Sequence, residues 1–282
     1  MDQLTVYEPN SRKKIGFFKT WSLMFANIAS SRELIAQVFV RDFLAAYKKS
    51  FIGLGWLVIT PIIGILSWTI MNAAGILRPG DVGIPYPAYV LIGSSIWGLF
   101  LGFYQSASQT LSAGSSFILQ VKYPHEVLLV KQTAQHLADF LVGFAMNLAV
   151  LLAFGVVPSW KIVFFPLAVL PLFFFGAAIG LVMSIAKIIA VDIQKASDLV
   201  MGLMIYLTPV IYSADVVHPM LAKIVRLNPL SYLICGARDL ILYGRIEHFG
   251  AYLAYSAMAL VAFLSAWRLF FLCEDKVVER IL

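Results

Sequence analysis

The side chains able to do chemistry are few and scattered. His125, His136, His218 and His248 stand apart, and none pairs with a carboxylate at helical spacing, so no metal centre is expected. No Gly-x-x-x-x-Gly-Lys-Ser/Thr phosphate loop, His-Glu-x-x-His zinc helix or Gly-x-Ser-x-Gly nucleophile elbow occurs, so neither a catalytic centre nor a cofactor of its own is expected. Cys235 and Cys273 fall in segments assigned below to opposite membrane faces, which argues against a disulfide or a thiolate metal site. What does recur is aromatic: Tyr86, Tyr89, Trp97, Phe100 and Tyr104 in one apolar stretch, and Tyr206 and Tyr212 in a later one. Tyr89, Trp97, Phe100 and Tyr104 share one helical face by their three- and four-residue spacing. Such a face serves stacking, helix packing or an interfacial belt.

The elements that carry these residues are read from hydropathy. Of the 282 residues 61% are hydrophobic and 13% charged, against roughly half and a quarter in soluble domains, so the chain is built for a bilayer. A net charge of +6 then records membrane orientation and headgroup contact, and no nucleic-acid partner is expected. The polar, basic start of the chain, Met1 to Thr20, lacks the apolar core of a cleavable signal.

A hydrocarbon core ~30 Å thick needs about 20 apolar residues in a helix. Windows free of Asp, Glu, Lys and Arg then predict an all-α polytopic membrane protein with six spans, at about 54–76, 87–111, 138–158, 162–186, 197–214 and 249–271. Pro87 starts the second, and 112–116 forms a polar turn after it. Residues 1–31 and 273–282 are expected as tails. With both termini on one face, 15 Lys and Arg residues fall on that face and 6 opposite, which makes the termini cytoplasmic and the location the inner membrane. No acid lies well inside a span, which counts against an ion-coupled carrier.

Two segments are neither spans nor plain loops. Residues 32–50 interleave Leu34, Ile35, Val38, Phe39, Phe43 and Leu44 with Arg41, Lys48 and Lys49, the pattern of an interfacial amphipathic helix or of a soluble helix packed on the tail. Residues 216–246 are rich in Leu, Ile and Tyr yet hold Arg226, Arg238, Asp239 and Arg245, which fits an outer re-entrant hairpin or an outer loop with surface helices. Arg238 beside Asp239 suggests a local ion pair with a structural role.

Four stretches stand out in sequence order: Arg41-Asp42 through Tyr47-Lys48, Ser50, Gly53, Gly55-Trp56 and Pro61; Val121-Lys122-Tyr123-Pro124-His125-Glu126; Asp192-Ile193 through Tyr206 and Thr208-Pro209-Val210-Ile211-Tyr212; and Asn228-Pro229-Leu230 with Arg238 and Gly244. Together they resemble the membrane permeases of ABC-2 type polysaccharide exporters, which handle O-antigen, capsule and teichoic-acid chains. The resemblance implies an elbow helix at 32–50 and a homodimer of permeases joined to two copies of a separate ATPase that binds ATP and Mg. It also implies an ATPase-coupling helix at Lys122, Tyr123, Pro124, His125 and Glu126, and a path for a lipid-linked polysaccharide lined by aromatic rings that stack on sugars. The lining set is Tyr89, Trp97, Phe100, Tyr104, Tyr206 and Tyr212; Arg41, Lys48 and Lys49 are placed to meet a lipid headgroup, though positive-inside anchoring accounts for them equally. The competing functions are an ABC-2 exporter of a small lipophilic molecule or lipid, and an ATP-independent channel or ion-coupled carrier.

Overall fold

The computed structural model describes residues 16–48, 51–113, 126–215 and 217–281, and among them every regular element is helical. In chain order these are α1 (Phe17–Ser30), α2 (Arg32–Lys48), α3 (Trp56–Ala73), α4 (Tyr86–Ser108), the short α5 (Thr110–Ala113), α6 (Glu126–Ala153), α7 (Phe165–Ile189), α8 (Val191–Met204), α9 (Pro219–Leu227), α10 (Pro229–Tyr243) and α11 (Phe249–Ile281). Among the described residues four stretches are long and apolar enough to cross a membrane: Tyr86–Ser108, Glu126–Ala153, Trp160–Lys187 and Phe249–Cys273. The chain is thus a multi-pass membrane protein.

The expected boundaries shift where charge-free windows were a poor proxy for helix ends. α6 is helical from the first described residue, Glu126, ahead of the expected span start at 138, and its polar groups in that stretch are partnered: Lys131 is paired to Asp42 and the His136 ring meets the Leu99 carbonyl, 3.1 Å from Nε2. Partnered polar groups do not end a helix. The expected tail holds α1, whose Trp21, Met24, Phe25 and Ile28 follow a helical stripe; Met24 is fully buried and Phe25 meets Trp267 edge-on at 5.3 Å. α11 runs on to Ile281, through the expected C-terminal tail. The fifth expected span divides: α8 gives way to a 3-10 turn over Ile205–Leu207, and Thr208 is extended (φ −124°, ψ 135°) as Pro209 behind it demands.

α4 is the hub, packed on α3, α6, α7 and α10. Its tightest contact is with α7, where Gly176 and Gly180 form a small-xxx-small ridge. A Cβ on Gly176 would lie 3.0 Å from the Phe100 carbonyl oxygen, and one on Gly180 would overlap the Tyr104 carbonyl oxygen. Backbones at this range gain dispersion contacts across the whole interface. Asn147 of α6 donates to Ser95 of α4 at 2.6 Å, and Phe140, Phe144 and Phe165 stack in series.

Gly180→Ala is expected to lower stability by about 1–3 kcal/mol through overpacking, read as a lower unfolding temperature in detergent. Gly98→Ala, whose added Cβ meets nothing within 4 Å, is the matched control and leaves that temperature unchanged.

Candidate functional site

The chemistry gathers at the two ends of the helical body. At the first, α9 and α10 meet the start of α4 and the broken stretch 208–213. Asn228 caps α10, accepting from the Leu230 amide at 3.0 Å, while its own amide nitrogen donates to Leu207 O (3.0 Å) and Thr208 Oγ1 (2.8 Å). Gly244 ends α10 in the left-handed region (φ 66°), and a Cβ there would overlap Ser159 Oγ. The helix is pinned at both ends.

Between those pins lies Arg238, 4% exposed. Its Nη1 donates to Pro209 O at 2.9 Å and its Nη2 to Cys235 Sγ at 3.2 Å; the guanidinium sits 4.2 Å over the Tyr89 ring, with Asp239 at 3.8 Å. The anticipated pairing with Asp239 is there, but Arg238 also holds the carbonyl exposed by the Pro209 break, a tertiary contact that spacing does not reveal. Tyr89 in turn donates to Tyr212 O at 2.8 Å and Tyr86 to Ile211 O at 3.0 Å. Tyr89, Pro209, Cys235, Arg238 and Asp239 border a cavity of about 1420 Å³ that reaches Asp81, Tyr232, Tyr243 and Glu247.

At the other end α2 lies against α6. Asp42 of α2 accepts from Lys131 of α6 at 2.5 Å and from the neighbouring Arg41 at 2.8 Å. Partial burial alone would raise the Asp42 carboxyl, but the two cations outweigh it and hold it below the usual carboxylate range. The Asp42–Lys131 tie, 89 positions apart, joins α2 to the helix that starts immediately after the Lys122–His125 segment, and nothing in the sequence paired them. Of the residues expected to meet a headgroup, Arg41 is exposed, Lys48 closes α2 and Lys49 lies outside the described residues. Lys122, Tyr123, Pro124 and His125 also lie outside them; Glu126 opens α6 and is 1% exposed.

The aromatic set divides. Tyr89, Trp97, Phe100 and Tyr104 do share a face of α4, but that face is packed inside the molecule, at no more than 5% exposure, instead of bordering open space along its length. The reason is the glycine ridge of α7, which draws this face against it. Only Tyr89, at its end, reaches the cavity. Tyr104 donates to Asp198 Oδ1 at 2.8 Å and lies 2.9 Å from Ser197 Oγ, and Gln194 donates to the same carboxylate oxygen at 2.9 Å. A polar cluster on α8 thus surrounds the ring's hydroxyl. Tyr206 is half exposed and meets Trp68 of α3 edge-on at 6.2 Å, and the half-buried Tyr212 donates to Tyr206 O at 3.0 Å. Among the described residues no group of His, Cys, Asp and Glu could hold a metal ion.

Comparison with known proteins converges with this architecture. The chain is similar to an O-antigen export system permease protein RfbA of Myxococcus xanthus, 22% identical over 252 residues, covering 89% of this chain and 96% of the relative. It is also similar to permeases of the same name from Klebsiella pneumoniae, one 23% identical over 224 residues and another 22% over 227, each covering 79% of this chain and 85% of the relative. The ABC-2 type transporter family matches residues 33–242, from the first turn of α2 to the last turn of α10. With α2 to α10, the broken stretch among them, all but inside a match that covers well over half of its length, the chain belongs to the ABC-2 type transporter family.

Proposed function

We propose that the chain is the membrane permease of an ATP-driven exporter that carries a lipid-linked polysaccharide, of O-antigen, capsule or teichoic-acid type, across the cytoplasmic membrane. The observation that carries this is the near full-length similarity to O-antigen export permeases, which spans both ends of the helical body. The other pieces are consistent with it. α3 and the run from α8 to Leu207 join the four long stretches as a six-span set, with α2 as the interfacial elbow, α9 and α10 as the outer re-entrant pair, and both termini cytoplasmic, the arrangement that the Lys and Arg distribution favours.

The phosphate loop that the sequence lacks would come from a separate ATPase, two copies of which would serve a permease homodimer. The bare apolar sides of α3 (Ile63, Leu66, Ile70) and α8 (Leu199, Leu203), bridged by Trp68 and Tyr206, suit a second copy of the chain. Lys122 to Glu126 would take up ATPase closure, and α6, rising directly from Glu126, would pass it to α2 through Lys131 and Asp42. Arg41, Lys48 and Lys49 would meet the phosphate of the lipid carrier as it arrives. Tyr206 and Tyr212 are the lining residues with surface to offer a sugar. The buried α4 rings would shape the path from behind.

Purified in mild detergent from its native host, the chain is expected to bring down a roughly equimolar ATPase, and Tyr123→Ala or His125→Ala to collapse its stimulated turnover. A chain that purifies with no ATPase sinks the proposal. Asp42→Lys or Lys131→Asp should each slow polymer export by about fivefold, as expected for loss of a partly exposed ion pair worth about 1 kcal/mol, and the double exchange should recover most of it.

A further inference from the structure

We infer that the cavity bordered by α9 and α10 is a binding site for an uncharged oligosaccharide segment, with walls supplied by a single protomer. This rests on the exporter reading above. The cavity's volume of about 1420 Å³ exceeds the roughly 300–1,000 Å³ of ordinary small-molecule pockets, so it has room for several sugar rings.

Its walls match such a ligand. Tyr89, Tyr232 and Tyr243 border it. Tyr232 stacks on Tyr255 at 5.0 Å and donates to Arg226 O at 3.1 Å; Tyr89 donates to Tyr212 O at 2.8 Å. Tyr243 and Tyr232, which have exposed ring surface, can stack on the C–H faces of sugars, and the contacts that hold Tyr232 in advance keep the entropic cost low. Tyr89, 4% exposed beneath the Arg238 guanidinium, supports the wall from behind. Around them four carboxylates (Asp81, Asp215, Asp239, Glu247) are interspersed with three guanidiniums (Arg226, Arg238, Arg245). That mixture supplies acceptors and donors together at a charge near zero, the complement of hydroxyl groups, which both give and accept.

Other ligand classes fit less well. A phosphate-rich chain seeks clustered cations without carboxylates among them, and a lipid tail would bury these charges against hydrocarbon. Two polar atoms in the same wall lack a hydrogen-bond partner, Ser231 Oγ and Arg238 Nε, on residues 5% and 4% exposed; the Asp239 carboxylate is 3.8 Å from Arg238 Nε, beyond hydrogen-bond reach. Buried polar atoms are ordinarily bonded, and a ligand hydroxyl carried to this wall would satisfy them after a small shift.

The test uses the whole permease with its ATPase, in nanodiscs. Neutral oligosaccharides released by mild acid from the host's own surface polysaccharide are titrated calorimetrically, beside the same oligosaccharides with primary alcohols oxidised to carboxylates. Wild type is expected to bind the neutral set. Tyr243→Ala and Ala214→Trp, both at exposed wall positions, are expected to weaken that binding by about tenfold or more, while Tyr243→Phe, which keeps the ring, retains most of it. Wild type that exports polymer in an ATP-driven vesicle assay yet binds no oligosaccharide overturns the site and leaves the exporter reading standing. Binding without ATP-driven export does the reverse. Variants that bind as wild type does also overturn the site, and equal affinity for the oxidised set overturns its preference for uncharged glycans.

Discussion

The structure depends on satisfying a piece of broken backbone. From Thr208 to Ser213 the chain leaves helical geometry, and amide and carbonyl groups at that point have no intrahelical partner. In an apolar setting each such group left bare costs several kcal/mol, so irregular backbone survives only where protein groups meet it. Here three carbonyls and one amide are met from different directions. Arg238 takes Pro209 O, Tyr86 takes Ile211 O, Tyr89 takes Tyr212 O, and the Ser213 amide donates to Pro79 O at 2.7 Å. α4 and α10 are thereby tied to the break from both sides, and Gly93 is needed so that α4 clears the Val210 carbonyl.

That requirement explains a buried arginine in a largely apolar helix. Burial of a guanidinium is costly unless its donors are used and its charge is compensated. Arg238 spends two donors on Pro209 O and Cys235 Sγ, faces the π-cloud of Tyr89 and has Asp239 beside it. The cation is thus a structural clasp as well as part of the cavity wall. Tyr89 has the same double duty, since its ring supports the guanidinium and its hydroxyl holds Tyr212 O.

The opposite end is organised by charge at the surface. Asp42 gathers Arg41 and Lys131, and Lys187 at the end of α7 donates to Ser108 O at 2.7 Å, where α4 ends. Side chains bridge separate helices at points where those helices stop or enter the body. The middle of the molecule, by contrast, relies on close contact of small residues, as at Gly176 and Gly180. A closely packed centre and polar ends are thus held by different forces, dispersion in one and charge pairing in the other.

The sequence by itself determined the all-helical membrane class, the apolar stretches within a few residues for α4 and α7, and the family, whereas it carried the fifth span through Pro209, where the chain breaks. The first three follow from local quantities: hydropathy summed over a window and the order of short motifs. It left Glu126 to Gln135 outside a span and assigned α1 to a tail, because a charge paired to another helix and a solvated one look alike in sequence and a short amphipathic helix has no span-length apolar window. It grouped Tyr89, Trp97, Phe100 and Tyr104 on one face, which helical periodicity fixes, but only the tertiary structure decided that Gly176 and Gly180 would bury that face. The pairings of Asp42 with Lys131, Tyr104 with Asp198 and Arg238 with Pro209 O likewise join residues 89, 94 and 29 positions apart. Which face a ring shows and which partner a charge finds are settled by how helices lean on one another, and that is a property of the packed chain.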